Sequence, residues 1–85
     1  MNSTPLTSLS PGESGIVNTI DNSSPIKTRL RDIGFTNGAT VRCEFASPFG
    51  DPIAYKIKNT TVALRKTDAS DISVIKKTRR LIPWD

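Results

Sequence analysis

Two stretches of strict alternation, one on each side of a proline- and glycine-rich breaker, set the tightest limit on how this chain can fold. Val41, Cys43 and Phe45 alternate with Thr40, Arg42 and Glu44, and Ile53, Tyr55 and Ile57 alternate with Ala54, Lys56 and Lys58. A repeat of two is that of a strand with one face buried and the other wet. Pro48-Phe49-Gly50-Asp51-Pro52 between them cannot continue either strand. Residues 40–58 therefore predict two half-buried strands joined by a turn, with Cys43, Phe45 and Tyr55 on the inward face.

The remaining segments fit around this pair. The first four residues read as a polar, frayed start and predict a flexible N-terminus over 1–5, with order beginning at Leu6. Leu6, Leu9 and Pro11-Gly12 predict a capping segment and turn before a strand over 15–20, where β-branched residues are dense. Ser24-Pro25 suits an N-cap and a first helical position, because proline lacks the N–H that would be unpaired there. Ile26, Leu30 and Ile33 then recur at i, i+4 and i+7, with Lys27 and Arg31 stacked on another face. Gly34 ends this helix, and Phe35 is placed to contact Leu30 across the stop. Further strands are expected over 61–65 and 72–75, separated by one helical turn at 67–71 with Asp68 as its cap and Asp71 solvated. Five short strands and one short helix predict a small, mainly β barrel.

An 85-residue chain has room for one core, burying about 60 to 65% of the surface its unfolded form exposes. No apolar run approaches the roughly 18 residues of a membrane-spanning helix. The N-terminus has neither a basic start nor an apolar stretch of secretory type, which predicts a cytoplasmic setting. Cys43 is the only cysteine, so the fold rests on packing rather than on an internal disulfide. The net charge of +4 is concentrated at one end. Lys76, Lys77, Arg79 and Arg80 face only Asp85 over residues 76–85, whereas the rest of the chain divides its charges almost evenly. The expected organisation is thus a flexible 1–5, a folded domain over 6–75 and a basic tail over 76–85.

Reactive constellations are missing. With no histidine, the commonest general base and the commonest transition-metal ligand are absent. The serines lack a partner base, no Cys or His cluster suits zinc, and no Gly-rich stretch ends in Gly-Lys-Ser or Gly-Lys-Thr. Cys43, on an inward strand position, reads as a small buried apolar residue. Asp68 and Asp71 are too few for a hard cation, which takes six or more oxygens. The expectation is a protein that is not an enzyme and carries no catalytic residue, no metal site and no cofactor. The loop over 48–52 is more elaborate than a connection needs. It reads either as functional, with Phe49 and Asp51 offered to a partner, or as architectural, with stiffening prolines, Gly50 at positive φ and Asp51 bonding nearby backbone.

In order and spacing, these segments resemble the ferrous iron transport protein A (FeoA) family. The resemblance is carried by Leu6 and Leu9 with Pro11-Gly12-Glu13 and Gly15-Ile16, by Arg29-Leu30-Arg31-Asp32-Ile33-Gly34-Phe35, and by Gly38 with Val41. It continues through Pro48-Phe49-Gly50-Asp51-Pro52-Ile53 and Ala63-Leu64-Arg65-Lys66 to Asp68-Ala69, Ile72 and Val74, spanning residues 6–74. Asn37 departs from the pattern, standing where the family often has proline, and the tail after Val74 is outside it. The resemblance implies an SH3-like barrel and a cytosolic helper of bacterial ferrous iron uptake. Its implied partner is FeoB, a membrane transporter with a cytosolic G domain.

On this reading the protein docks on FeoB and modulates it, with Lys27 and Arg31 on the helix and Phe49 and Asp51 in the loop as contact candidates. The alternative is a small nucleic-acid-binding barrel that engages phosphates through the basic tail. Nucleic acid is disfavoured because the chain has few aromatics from which to build a stacking platform. The tail itself reads either as a disordered terminus or as a membrane-surface contact, in which Lys76, Lys77, Arg79 and Arg80 with Leu81, Ile82 and Trp84 would engage anionic lipid at the inner face of the plasma membrane.

Overall fold

The computed structural model describes residues 3–77. Six strands form one antiparallel sheet: β1 (Thr4–Pro5), β2 (Ser14–Ile20), β3 (Thr40–Ala46), β4 (Ile53–Ile57), β5 (Thr60–Leu64) and β6 (Ile72–Lys76). Helix α1 (Lys27–Ile33) lies between β2 and β3, the single turn α2 (Lys66–Ala69) between β5 and β6, and a 3-10 turn covers Leu6–Ser8. The strand order β1-β6-β2-β3-β4-β5 places the sequence neighbours β2 to β5 side by side and returns β6 to the far side of β2. Inward side chains of β2 to β6, including Val17, Val41, Tyr55, Leu64 and Val74, join Leu6, Leu30 and Phe35 in one core cluster. One short helix cannot cover the face of six strands, so the sheet curls around its own inner face. Each fully buried aliphatic or aromatic side chain there contributes about 1.5 to 3 kcal/mol. No helix among the described residues is long and apolar enough to cross a membrane.

Order begins two residues earlier than the sequence suggested. Thr4 pairs with Val74 and Pro5 with Ser73, adding a strand beyond the expected five, because β6 leaves an edge that the N-terminal residues satisfy. At the other end, Lys76 still belongs to β6 and the Lys77 N–H donates to the Ser14 carbonyl at 2.9 Å. The remainder of the expected tail, 78–85, lies outside the described residues.

Helix α1 starts later than Ser24-Pro25 predicted. Residues before it form a turn in which the Lys27 N–H reaches the Ser24 carbonyl at 3.3 Å, and Ile26, at φ −115° and ψ 21°, is the entry residue. Ser24 is buried and makes no side-chain cap. The helix end is as expected. Gly34 sits at φ 134°, the Phe35 N–H donates to the Leu30 carbonyl at 3.0 Å and the Gly34 N–H to that of Arg31 at 3.1 Å. This is the Schellman pair of bonds, with buried Phe35 packed in the same core as Leu30.

Candidate docking surface

The alternation of β3 breaks once, and that break turns out one of the two exposed aromatics of the described residues. Cys43 pairs with Tyr55 but Phe45 pairs with Ala54, so the register shifts by one residue at Glu44. A bulge of this kind reverses the face on which the following side chains emerge. Cys43 is buried as expected, whereas Phe45 is turned outward and is 61% exposed, which corrects its assignment to the inward face. Four residues on, at the tip of the hairpin, Phe49 is 94% exposed.

The loop that carries Phe49 is held rather than loose. The Ser47 N–H donates to the Pro52 carbonyl at 3.1 Å and the Gly50 N–H to that of Ser47 at 2.8 Å, closing a tight turn. Gly50 adopts φ 80°, where a side chain would be strained. The Asp51 Oδ1 accepts the Lys66 backbone N–H at 2.9 Å, satisfying one of the unpaired donors at the start of α2. The cap expected of Asp68 thus comes instead from a residue of the neighbouring hairpin. The architectural reading of the loop holds for Gly50 and for the backbone bond of Asp51, while Pro48 and Phe49 are exposed.

Lys27 and Arg31 lie elsewhere. One turn apart on α1, they line a cleft of about 500 Å³ whose other wall is the end of β2 and the turn after it, from Val17 to Asn22. The Lys27 ammonium donates to the Asn22 side-chain oxygen, and the Asn37 amide closes one end of the cleft on the Asn18 carbonyl at 2.5 Å. Asp21 borders it too, its carboxyl held below the usual range mainly by the Ser23 N–H, then by the Ser23 hydroxyl and, more weakly, by the positive charge of Lys27. The fold therefore does not gather the four contact candidates into one site. Lys27 and Arg31 share the α1–β2 cleft, and Phe49 and Asp51 belong to the hairpin braced on α2.

Chemistry at the inward positions is suppressed. Burial pushes the Cys43 thiol above its ordinary range, with the nearby carboxylates of Glu44 and Glu13 adding to the effect. Tyr55 is pushed up to about 12, first by burial and then by Cys43. A thiol held protonated is a poor nucleophile and a poor ligand. Among the described residues, no three His, Cys, Asp or Glu side chains come together as a metal site requires. An arrangement with exposed aromatics on a stiff loop and cations on a short helix is suited to contact with another molecule.

Comparison with known proteins agrees with this picture. A family model described as the FeoA domain matches residues 4–76. A protein of Porphyromonas gingivalis, named Fe(2+) transport protein A/Fe(2+) transporter FeoB fusion protein, is 29% identical over 69 residues, which are 81% of this chain. The chain spans only 8% of that relative. Among solved structures, the FeoA-like protein of Clostridium acetobutylicum superposes with a TM-score of 0.86 at 26% identity, covering 96% of this chain and 95% of that one. The zinc complex of Stenotrophomonas maltophilia FeoA, described as a prokaryotic SH3 domain protein, superposes with a TM-score of 0.75 at 29% identity, over 84% of this chain and 88% of that one. With its family model matched along nearly the whole described chain and its curled sheet shared with these structures, this chain belongs to the FeoA domain family and has its SH3-like fold.

Proposed function

We propose that this protein is a non-enzymatic accessory factor of bacterial ferrous iron uptake that docks, from the cytoplasm, on a FeoB-type transporter and modulates it. The observation that carries this reading is the P. gingivalis relative, in which the region similar to this chain is fused to a FeoB transporter. A covalent fusion keeps the two parts at one place at high effective concentration, an arrangement that favours a docking interaction between them. Within the chain, contact falls on two separate patches: the cations Lys27 and Arg31 beside β2, and the Phe49 tip of the β3–β4 hairpin, kept in place by Asp51. Phe45 joins the second by exposure.

The reading is tested by ferrous iron uptake in cells that lack this chain but retain the transporter. Supplying the wild-type chain is expected to restore uptake, and a Phe49→Ala, Lys27→Glu, Arg31→Glu variant produced at the same level is expected not to. Equal rescue by the variant would overturn the surface assignment, and uptake unaffected by removal of the chain would overturn the function.

A further inference from the structure

Strand β5 is an edge of the sheet: it pairs with β4 and, among the described residues, its other side has no backbone partner. Natural sheets blunt such edges with charges, proline, bulges or short length, because a free row of N–H and C=O groups templates another strand. The opposite edge follows that rule, since β1 is two residues long and contains Pro5. β5 does not. It runs for five residues, Thr-Thr-Val-Ala-Leu, with no charge and no proline, in unbroken register with β4.

Beside this edge runs a groove of about 500 Å³ between β5 and α1. Ile26 at the helix entry, Ile33 of the helix and Val62 of the strand form its apolar floor, each only partly buried against the core. Arg29 and Arg65 line it, together with Asp68. The ion pairs among the described residues join Arg42 to Glu44 and Lys76 to Glu13, so neither Arg29 nor Arg65 is in an ion pair with a carboxylate of the described residues.

We infer that β5 and this groove receive an extended segment of an acidic polypeptide. The segment adds as a further strand to the open edge, lays an apolar side chain over the Ile26, Ile33 and Val62 floor, and brings carboxylates to the two guanidinium groups. Backbone pairing supplies affinity and the arginines select the charge. Charge also argues against this chain's own basic end as the occupant. Residues 78–85 of this chain carry Arg79 and Arg80, of the same sign as the two groove arginines, and a second copy on the edge is an outcome the test below distinguishes. This surface is separate from the Lys27, Arg31 and Phe49 contacts proposed above, so each can fail without the other.

The test is amide NMR on the full chain titrated with the peptide acetyl-Asp-Glu-Thr-Val-Thr-Val-Asp-Glu-amide, with a control in which lysine replaces every acidic residue. Saturable shifts confined to residues 60–65 and 26–33 are expected. Binding should be at least about tenfold weaker for the lysine peptide and for an Arg29→Ala, Arg65→Ala protein. No saturable shift at about 1 mM acidic peptide, equal response to both peptides, or shifts centred on the β3–β4 hairpin would overturn the inference. So would a peptide-free dimer by light scattering in which the β5 amides are protected, because the edge would then belong to a second copy.

Discussion

The Asp51 carboxylate and the Lys66 backbone N–H, 15 residues apart in sequence, are joined by a 2.9 Å hydrogen bond that fastens the β3–β4 hairpin to the first turn of α2. A cap supplied from another element links two things at once, the start of a helical turn and the position of a loop.

Removing that cap has a defined cost. Asp51→Ala is expected to lower stability by about 1 kcal/mol, the typical loss for an N-cap, and Asp51→Asn, which keeps an acceptor oxygen, by much less. Urea unfolding of the three proteins, compared at their midpoints, measures both differences.

The exposed aromatics and the core are expected to respond in opposite ways. Phe45→Ala and Phe49→Ala should each change stability by no more than about 0.5 kcal/mol, because neither position is buried. Ile57→Ala, at a fully buried position, should cost about 2 to 5 kcal/mol. Only the first two substitutions are expected to weaken association with a partner while leaving the fold unchanged, as circular dichroism and denaturation would register.

Glu13 links the turn before β2 to the end of β6. Its carboxylate accepts the Ser10 N–H at 2.7 Å and lies 3.4 Å from the Lys76 ammonium, and these contacts, the Ser10 bond first, hold its pKa below the ordinary value. A depressed folded-state pKa gives stability that is present above the unfolded value of about 4.3 and is lost as pH falls through the lower, folded one. Stability measured from about pH 6 down to about pH 2.5 should therefore fall less steeply in Glu13→Gln than in the wild type.

Cys43 provides a reporter of opening. With the thiol buried and its pKa raised, alkylation by iodoacetamide at about pH 8 should be slow in the native protein and should accelerate by orders of magnitude in denaturant. Fast alkylation under native conditions would show that β3 does not hold the thiol inside.

How far the sequence could be read depended on whether local pattern or tertiary contact decided each element. The inward positions Ile53, Tyr55 and Ile57 of β4 were legible from their period of two, but Ala54, read with the wet face, is buried as well, beside the β3 bulge that pairs it with Phe45. The same pattern misassigned Phe45, since a bulge at Glu44 shifts the register and no residue type there demands one. Gly34 announced the helix end because its backbone conformation suits glycine. The helix start eluded Ser24-Pro25 because Ser24 is buried as part of a turn, so packing overrode capping preference. Asp51 was legible as a residue bonding backbone, but the donor it meets is fixed by the fold rather than by neighbours in sequence. The groove beside β5 was invisible for a related reason: Arg29 and Arg65 come to line one groove only when the helix settles against the strand.

The central claim, that this chain acts by docking on a FeoB-type transporter, is tested most directly by calorimetric titration of the full chain into the purified transporter of the same organism, nucleotide-free and with each guanine nucleotide. The account predicts saturable, stoichiometric binding in at least one of these states, weakened about tenfold or more when Phe49→Ala is combined with Lys27→Glu and Arg31→Glu. Absence of binding by the wild-type chain in every nucleotide state would contradict it.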